Sequence, residues 1–355
     1  MHVLHVVGTR PNLVKMAPVV AALRDRFPDW PSTIVHTGQH YDREMSEIFF
    51  AELGLPEPDH ALGVGSGSHT DQTARVLDRL EPVLVAERPD LVLVPGDVNS
   101  TLAAALTAAK LEIPVAHVES GLRSFDRTMP EELNRVLVDH LAELLFLHSD
   151  DAVANLEREG IDPERMRFVG NTMIDTLVAL EGRFRGRQAA AALGLDPGGY
   201  LLVTLHRPAL VDGPLLDEAM AALAAVAREL PVAFPVHPRT RKMLGGREVP
   251  GVRLLDPIGY LDFLSLEADA TAVLTDSGGI QEETTYLGIP CFTLRANTER
   301  PVTVREGTNT VLGLDPGRIA EIPGLLAGRP AGAPQPPPKW DGRAAERIAE
   351  ALADW

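Results

Sequence analysis

The sequence has a single cysteine and no long apolar run, and both absences limit what the protein can be. Cys291 stands alone among 355 residues, so an intramolecular disulfide framework is excluded, as is usual in a reducing cytosol. No apolar stretch reaches the roughly 18–20 residues that a membrane helix needs. The chain enters a strand-like run at Val3–Val7 without a signal peptide. We therefore expect a cytoplasmic protein with no membrane span.

An excess of positive charge is also lacking. The chain has 33 Lys and Arg residues against 50 Asp and Glu, which gives a formal net charge of −17. Nucleic acids and anionic membranes attract basic surfaces, so neither is an expected partner. An anionic ligand must instead be held by a local group of cations that acts against the overall field.

The common metal and nicotinamide motifs are missing as well. The sequence contains no HxH, HExxH or CxxC spacing, so we expect no metal site. The turn Gly8–Pro11 after the first apolar run is not GxGxxG and gives no support for NAD binding. No cofactor is therefore expected.

Short Val- and Leu-rich runs alternate with amphipathic stretches along most of the chain. Continuous apolar runs are typical of strands buried on both faces, and their alternation with helices predicts a doubly wound parallel sheet. The pattern restarts near Gly199, and at roughly 100–200 residues per domain the length also predicts two domains. We expect α/β domains over 1–170 and 171–340, and a segment 341–355 that packs back on the first domain.

The predicted elements can be given by residue. The strands are His2–Val7, Thr33–His36, Leu91–Val94, Val115–Val118, Leu144–Leu147, Arg167–Val169, Leu201–Leu205, Val232–Val236, Val252–Leu255, Ala272–Leu274 and Cys291–Leu294. The helices include Val14–Arg26, Glu44–Leu53, Asp71–Glu87, Thr101–Leu111, Glu131–Glu143, Thr172–Gly182, Leu215–Glu229, Gly279–Leu287 and Arg343–Ala353. The domain seam is expected near Gly170–Asn171, and Gly328–Pro338 should be an extended linker because it is rich in Pro, Gly and Ala.

Three acidic residues fall at strand ends or at a helix start in the first half. Asp97 ends one strand, Glu119 comes directly off a buried strand, and Glu131 opens a helix. Proline followed by acids is ordinary helix-start chemistry, which fully explains Glu132 and could explain Glu131, but not Glu119. If these acids share a pocket, repulsion and burial should raise at least one pKa toward neutrality. One acid could then accept a proton while another donates.

Cations and histidines also follow predicted strands. Arg10 and Lys15 come after the first strand, where ligands of such sheets bind and where a helix N-terminus adds N–H groups. A plain turn with two solvated cations explains them equally well. His206 and His237 each end a strand of the second half, and two at equivalent positions favour phosphate or uracil contacts, although a loop histidine explains either one alone.

A diglycine turn in the second half is a candidate nucleotide site. Ser277 and Gly278–Gly279 follow a strand and open a helix that contains Glu283. The glycines let the backbone approach phosphate oxygens, the serine supplies a hydroxyl, and the glutamate can accept hydrogen bonds from ribose hydroxyls. A tight turn is the simpler interpretation of the glycines, but the glutamate that follows favours a nucleotide.

Taken together, these segments resemble the non-hydrolysing UDP-N-acetylglucosamine 2-epimerases. The resemblance spans nearly the whole chain in order. The matching motifs are GTRPxxxKMAP (Gly8–Pro18), the Gly-Asp pair at 96–97, HVESGLR at 117–123, PEELNR at 130–135, GNTxID (Gly170–Asp175), His206–Arg207, PVHP (Pro235–Pro238), TDSGGIQEE (Thr275–Glu283) and TERP (Thr298–Pro301).

The resemblance implies a fold, a reaction and a set of roles. The fold is two Rossmann-like domains in a glycosyltransferase-B arrangement with the active site in the cleft, and the assembly is a homodimer. The reaction interconverts UDP-GlcNAc and UDP-ManNAc by eliminating UDP to 2-acetamidoglucal and adding it back, and it feeds cell-surface polysaccharide synthesis. Carried over position by position, the catalytic residues are Asp97, Glu119, Glu131 and His206, and the substrate contacts are Arg10, Lys15, His237, Phe263, Ser277, Gly278, Gly279, Glu283 and Arg300.

The chain departs from the family pattern in places, and rival functions share its fold. Asn12 stands where many members have Glu, Pro208–Leu210 replaces an REN-type segment, and Gln39–Glu44 carries extra residues. These departures argue against activation by a second UDP-sugar and leave room for a modified UDP-sugar substrate. The rivals are a UDP-sugar glycosyltransferase, a hydrolysing epimerase and a sensor without turnover. For Phe263, a core position on a helix is the alternative to a uracil contact.

Overall fold

The structure is a computed structural model that describes residues 1–39, 49–329, 332 and 335–355. The chain divides into two compact units. The N-terminal unit comprises Met1–Val178 and Pro338–Trp355, and the C-terminal unit comprises Ala179–Pro337. The division therefore falls inside the helix Thr172–Arg185 rather than at 170–171. Parts of the predicted helix Glu44–Leu53 and of the predicted linker lie outside the described residues.

The N-terminal unit is built on a seven-stranded parallel sheet of order β3-β2-β1-β4-β5-β6-β7. The order reverses between β1 and β4, which is the switch point where ligands of doubly wound sheets bind. Its strands are β1 (Val3–Val7), β2 (Ser32–His36), β3 (His60–Ala61), β4 (Leu91–Pro95), β5 (Val115–Ser120), β6 (Leu144–Leu147) and β7 (Met166–Phe168), and its helices are α1 (Arg10–Arg26), α2 (His69–Glu87), α3 (Asn99–Lys110), α4 (Pro130–Leu141), α5 (Asp150–Arg158) and α6 (Thr172–Arg185), which runs past the division.

The C-terminal unit repeats this plan with a six-stranded parallel sheet of order β10-β9-β8-β11-β12-β13. Its strands are β8 (Leu201–Thr204), β9 (Val232–Pro235), β10 (Val252–Leu255), β11 (Ala272–Thr275), β12 (Cys291–Thr293) and β13 (Asn309–Val311), and its helices are α7 (Ala189–Ala192), α8 (Pro208–Val211), α9 (Leu215–Val226), α10 (Pro238–Leu244), α11 (Tyr260–Ala268), α12 (Gly278–Leu287), α13 (Pro301–Arg305) and α14 (Ile322–Ala327). The predicted fold class, α/β with two doubly wound parallel sheets, is confirmed.

The predicted elements match well, with identifiable exceptions. Strands β6 and β10 have the predicted bounds, β7 is shifted by one residue at both ends, and the other predicted strands differ from the observed ones by one or two residues at one end. The sequence analysis missed β3 and β13, which are two and three residues long and carry no extended apolar run. Helix α1 begins at Arg10 rather than Val14, because Pro11 is acceptable in the first turn.

Each unit has its own apolar core, which explains the continuous Val- and Leu-rich strands. All five residues of β1 and of β4 are buried, so helices cover both faces of the sheet at these strands. Full burial of one such side chain contributes about 1.5–3 kcal/mol relative to exposure. Within the described residues, no helix is both long and apolar enough to cross a membrane.

The C-terminal segment Pro338–Trp355 belongs to the N-terminal unit, where its helix α15 (Ala344–Ala353) packs against α1. The indole of Trp340 is buried and donates a hydrogen bond from Nε1 to the carbonyl of His148 at 2.9 Å. Asp175 on α6 accepts from the backbone N–H groups of Ala344 and Ala345, at 3.1 and 2.6 Å. The carboxylate thus binds the start of α15.

Asp175 predicts a pH dependence of stability. Burial raises its pKa to about 6, although the two backbone hydrogen bonds oppose the shift. Because the folded chain holds this proton more tightly than the unfolded chain, its contribution to the free energy of unfolding falls as pH rises from about 4 to 6. We expect the difference in the free energy of unfolding, wild type minus Asp175→Asn, to decrease by about 2 kcal/mol over this range. Denaturant titrations of both proteins at several pH values measure this decrease.

The exposed Asp354 supplies the control, since Asp354→Asn should follow the wild-type profile at each pH. A difference between wild type and Asp175→Asn that stays flat, or that grows with pH, would contradict the role given to Asp175.

Candidate functional site

The carboxyl ends of β1, β4 and β5 lie close together at the switch point of the N-terminal sheet. Two glycines make this packing possible. A Cβ atom on Gly8 would overlap the side chain of Ser100, and Gly96 has a φ of +64° that disfavours other residues. A Cβ atom on Gly96 would also lie 2.9 Å from Lys15 Nζ. The Lys15 ammonium therefore lies directly against the turn that carries Asp97.

Lys15 forms a buried ion pair with Glu119. Its Nζ lies 2.8 Å from Glu119 Oε1, and the two residues are 5 % and 6 % exposed. The sequence analysis names Lys15 as a substrate contact, and in the structure its ammonium contacts a carboxylate at the end of β5. Lys15 thereby joins Glu119 to the Gly96 turn and brings two of the three predicted carboxylates into one neighbourhood.

The backbone of Glu119 adopts an unusual conformation. Its φ is +66°, in the left-handed region that favours glycine, and the pairing of β5 with β6 shifts register between Val118 and Ser120. Such a conformation costs about 1–3 kcal/mol in a residue that carries a Cβ atom and persists only where the surroundings hold it. Strain of this kind is concentrated at functional sites, which supports a chemical role for this side chain.

Asp97 is held by Arg135, which the sequence analysis did not single out. Arg135 Nη2 lies 2.5 Å from Asp97 Oδ2, and Asn134 Nδ2 donates to the Asp97 carbonyl at 2.8 Å. Arg135 is 2 % exposed and also pairs with Glu132 at 3.0 Å. Its position one turn after Glu131 on the same helix is the signal that could have identified it.

The interpretation of Glu132 as ordinary helix-start chemistry was incomplete. Glu132 is 3 % exposed, and its carboxylate accepts from the N–H and hydroxyl of Ser124, at 2.8 and 2.9 Å, and from the N–H of Phe125 at 2.8 Å. It therefore fixes the loop between β5 and α4.

Glu131, its neighbour in the first turn of α4, is half-buried. Arg10 begins α1, and its guanidinium lies 5.2 Å from the ring centre of Phe49.

In the C-terminal unit, the N-terminus of α12 has the features of an anion site. Ser277 is the N-cap residue, but its side chain makes no capping hydrogen bond, so the first backbone N–H groups lack that partner. A Cβ atom on Gly278 would overlap the guanidinium of Arg300, so the glycine allows Arg300 to approach the helix end. Gly279 follows in the first turn. A helix N-terminus and an adjacent guanidinium both favour a bound anion.

Arg300 is itself buried and strongly held. It is 5 % exposed, donates from Nε to Glu282 at 2.8 Å and donates from Nη1 to Glu299 at 2.7 Å. Arg295 also pairs with Glu299, at 2.6 Å. The guanidinium therefore has a fixed place at the start of α12.

His206 is oriented by a buried carboxylate. Its Nδ1 lies 3.0 Å from Asp276 Oδ1, while Asp276 Oδ2 accepts from the backbone N–H groups of His206 and Arg207, both at 2.7 Å. Burial would raise the pKa of Asp276, but His206 and these hydrogen bonds lower it below its usual value. The His206 ring is about one-third exposed and lies 5.4 Å from the ring of His237. An imidazole held by a carboxylate in this way is suited to proton transfer or to contact with an anion.

Glu283 and Glu267 form an acidic pair in the interior of the C-terminal unit. Burial raises the pKa of Glu283 to about 7, against the hydrogen bond that Tyr260 donates to it at 2.7 Å. Glu267 is fully buried and neither of its carboxyl oxygens has a hydrogen-bond partner, and burial with the charge of Glu283 raises its pKa well above its usual value. Phe263 is half-buried and packs against an apolar cluster, so its core contacts are evident.

The described residues contain no group of three or more His, Cys, Asp or Glu side chains arranged to hold a metal ion. The N-terminal unit carries carboxylates paired with cations. The C-terminal unit carries a helix N-terminus and a histidine bound by a carboxylate. With two parallel sheets of the same strand order, these features define the class of α/β proteins made of two Rossmann-like units.

Comparisons with known proteins narrow this class to a family. The sequence profile of the UDP-N-acetylglucosamine 2-epimerases matches residues 24–353. A UDP-N-acetylglucosamine 2-epimerase of Methanocaldococcus jannaschii is 44 % identical over 321 residues, 87 % of each chain. A UDP-2,3-diacetamido-2,3-dideoxy-D-glucuronate 2-epimerase of Pseudomonas aeruginosa is 40 % identical over 328 residues, 90 % of this chain and 91 % of that one. The chain belongs to the UDP-N-acetylglucosamine 2-epimerase family.

Solved structures agree with this assignment. The crystal structure of the M. jannaschii UDP-GlcNAc 2-epimerase in complex with UDP-GlcNAc and UDP matches with a TM-score of 0.90 and 39 % identity, over 100 % of both chains. A more distant match, the glycosyltransferase of kitacinnamycin, has a TM-score of 0.59 and 16 % identity over 99 % of this chain and 98 % of that one, and it shows a shared fold alone.

The ion pair of Lys15 and Glu119 predicts a non-additive pair of variants. Glu119→Gln alone leaves the Lys15 ammonium buried without its charge partner and should cost about 3 kcal/mol of the free energy of unfolding. Adding Lys15→Met removes the stranded charge and should restore most of that loss. Chemical denaturation of wild type, both single variants and the double variant measures the coupling energy.

The exposed pair Arg185 and Glu181, joined at 2.8 Å on α6, is a matched control and should give a coupling below about 1 kcal/mol. Equal coupling for the two pairs would mean that the buried ion pair has no special energetic role.

Proposed function

We propose that the protein is a non-hydrolysing epimerase that interconverts UDP-GlcNAc and UDP-ManNAc at C2. The C2 proton is not next to a carbonyl, so direct removal is difficult. In the proposed reaction UDP leaves C1 as the C2 proton is lost, which gives 2-acetamidoglucal. UDP stays bound and adds back after a proton is returned to the other face. The reaction needs proton-transfer groups around the ring and positive charge at the leaving diphosphate.

The observation that carries the proposal is the grouping of carboxylates in the N-terminal unit. Glu119 pairs with Lys15, whose ammonium lies against the Gly96 turn before Asp97, and Arg135 joins Asp97 to α4, which carries Glu131 in its first turn. Two proton transfers on opposite faces of one carbon require more than one acid or base. A glycosyltransferase of this fold needs one base and an acceptor groove, so this grouping favours the epimerase.

Most of the groups proposed to bind UDP lie in the C-terminal unit, and Arg10 in the N-terminal unit is the exception. The N-terminus of α12 presents the N–H groups of Gly278 and Gly279, next to the Arg300 guanidinium, and suits a phosphate. We assign Glu283 to the ribose hydroxyls and His206 to the leaving diphosphate, where its imidazole can supply positive charge or a proton. His237, Phe263, Ser277 and Arg10 complete the proposed substrate contacts.

Two UDP-sugars are candidate substrates. The P. aeruginosa relative acts, by its name, on a diacetamido glucuronate sugar, and Pro208–Leu210 departs from the pattern common in the family. UDP-GlcNAc is the proposed substrate, and the diacetamido sugar is the alternative to be assayed beside it. We further propose that the enzyme works in the cytoplasm and supplies a cell-surface polysaccharide.

The reaction can be tested in D₂O without added metal or NAD. We expect UDP-GlcNAc to be converted to UDP-ManNAc that carries deuterium at C2. The conversion is measured by ¹H NMR. Asp97→Asn and Glu131→Gln should lower kcat by roughly 10²–10⁴, while UDP affinity stays nearly unchanged. Glu143→Gln, an exposed position just after α4, is the matched control and should behave as wild type.

Each negative outcome of this experiment has a distinct meaning. Absence of deuterium at C2 would contradict the epimerase mechanism. Release of free ManNAc would assign the protein to the hydrolysing branch. Parallel loss of UDP binding and activity in the carboxylate variants would assign Asp97 and Glu131 to structure.

We also propose that the protein is a homodimer, as the family resemblance implies. Helix α4 exposes Leu133 and Leu137, which are 40 % and 51 % exposed and lie one turn apart on the same face. Light scattering after gel filtration should give twice the chain mass, and Leu137→Arg should shift the protein toward monomer. Val85→Arg on α2, at an equally exposed apolar position, is the control. A monomeric wild type would contradict the proposal.

A further inference from the structure

We propose that His117 is a positioning residue for the carboxylates of the N-terminal unit, in which its imidazolium ring joins the Gly96–Asp97 turn and the Glu119 backbone to α4 through Asp139. This inference rests on the proposed function, because it concerns the groups to which proton transfer is assigned there. None of the roles described above involves His117 or Asp139.

Both ring nitrogens of His117 are engaged at short distance. Nε2 lies 2.7 Å from the carbonyl oxygen of Gly96, and Nδ1 lies 2.7 Å from Asp139 Oδ1. The side chains of His117 and Asp139 are both fully buried. A carbonyl oxygen can only accept a hydrogen bond, so Nε2 must carry a proton.

The surroundings of Asp139 determine the state of Nδ1. Asp139 Oδ2 accepts from Arg123 Nη1 at 2.7 Å and from the N–H of Gly121 at 3.1 Å. Burial alone would raise the pKa of Asp139, but the hydrogen bonds and charges of His117 and Arg123 hold it below its usual value. An ionised Asp139 can only accept, and in the proposed arrangement Nδ1 therefore donates as well, which makes the ring an imidazolium.

The charges of this group balance. Arg123 also donates from Nε and Nη2 to the two carboxyl oxygens of Glu159, at 2.7 and 2.6 Å. The four side chains, two cations and two anions, sum to zero, which is the condition under which buried charges are tolerated.

His117 and Asp139 lie next to the backbone of Glu119, which is why we assign them a positioning role. His117 lies two residues before Glu119 on β5, while Gly121 lies two residues after it, and both bind Asp139. Asp139 thus holds the backbone on both sides of the strained residue. Through the second nitrogen of His117 the same group holds the Gly96 carbonyl, one residue before Asp97. A displacement of about 1 Å in such groups is enough to lower turnover strongly.

A purely structural ion pair would behave differently from a positioning group. It would change the stability of the protein and the folded fraction, but not kcat per folded molecule. A positioning group lowers kcat while KM and UDP affinity change little, because the UDP contacts lie on other residues. These two patterns can be separated by measurement.

The first test concerns the ring itself and does not depend on enzymatic activity. In protein labelled with ¹⁵N-histidine, the His117 resonances, identified among 11 histidines by their absence in His117→Gln, should show protons on both nitrogens. A neutral ring at pH 7 would overturn the proposal.

The second test measures turnover of the folded protein. Asp139→Asn keeps the shape of the side chain but removes its charge, and His117→Gln keeps a donor for the Gly96 carbonyl. We expect each to lower kcat at least roughly ten-fold, with KM and the Kd of UDP within about three-fold of wild type. Glu159→Gln is the matched control, because it weakens the same group on the side away from Glu119. It should lower Tm and leave kcat within about two-fold.

The outcomes distinguish the two proposals. If the wild type epimerises and Asp139→Asn and His117→Gln retain its kcat, the positioning role is wrong. If kcat in all three variants, including Glu159→Gln, simply follows stability, the group is structural and the positioning role is also wrong. If the wild type turns over neither UDP-sugar, the proposed function fails, and with it the role of His117 in that reaction.

Discussion

The ends of the parallel strands concentrate charged side chains in places that water reaches poorly, and each such charge needs a partner. This constraint organises both units. Lys15 neutralises Glu119, and Arg135 neutralises Asp97. In the other unit His206 lies against Asp276. A buried charge without compensation costs several kcal/mol, so the partners are as necessary to the fold as the apolar residues beneath them.

The two units meet this constraint in different ways, and the difference fits the roles proposed for them. In the N-terminal unit, Asp97 and Glu119 each contact a cation, so carboxylates are held near one another at low cost. In the C-terminal unit, burial raises the pKa of Glu267 and of Glu283, which favours protonated acids there. The first arrangement suits groups that accept and return protons. The second reduces the negative charge that these two acids add to the unit to which an anionic diphosphate is assigned.

The sequence was sufficient for the fold class and for most elements, because hydrophobic periodicity reports the buried strands directly. The bounds of Leu144–Leu147 and Val252–Leu255 were predicted as observed, since each run is mostly apolar and is followed by a polar residue. Strand β3 was missed because a two-residue strand such as His60–Ala61 has no periodicity to detect. Helix α1 was predicted to start late because its first turn, with Arg10 and a proline, contains little apolar character.

The sequence drew attention to Asp97 and Glu119 as candidate site residues but did not reveal the side chains that hold them. Asp97 and Glu119 were recognisable because a carboxylate at the end of a buried strand is unusual. The partners were not, because the contact of Lys15 with Glu119 joins residues far apart in the chain. Glu132 shows a second limit. Acids in a first helical turn have a general explanation, so the sequence pattern could not reveal that this carboxylate fixes the loop at Ser124 and Phe125.

The residue at position 119 lowers the stability of the fold, and a functional requirement explains why it is a glutamate. A φ of +66° is the conformation in which glycine is least strained, and the next residue but one, Gly121, has a positive φ as well. The chain nevertheless carries a side chain at position 119, and that side chain is a carboxylate which then requires a buried lysine. A residue chosen for stability alone would avoid both the backbone strain and the buried charge. The combination is understandable if a carboxylate is needed at this point in space, with Lys15, His117 and Asp139 supplying the support that the strained backbone requires.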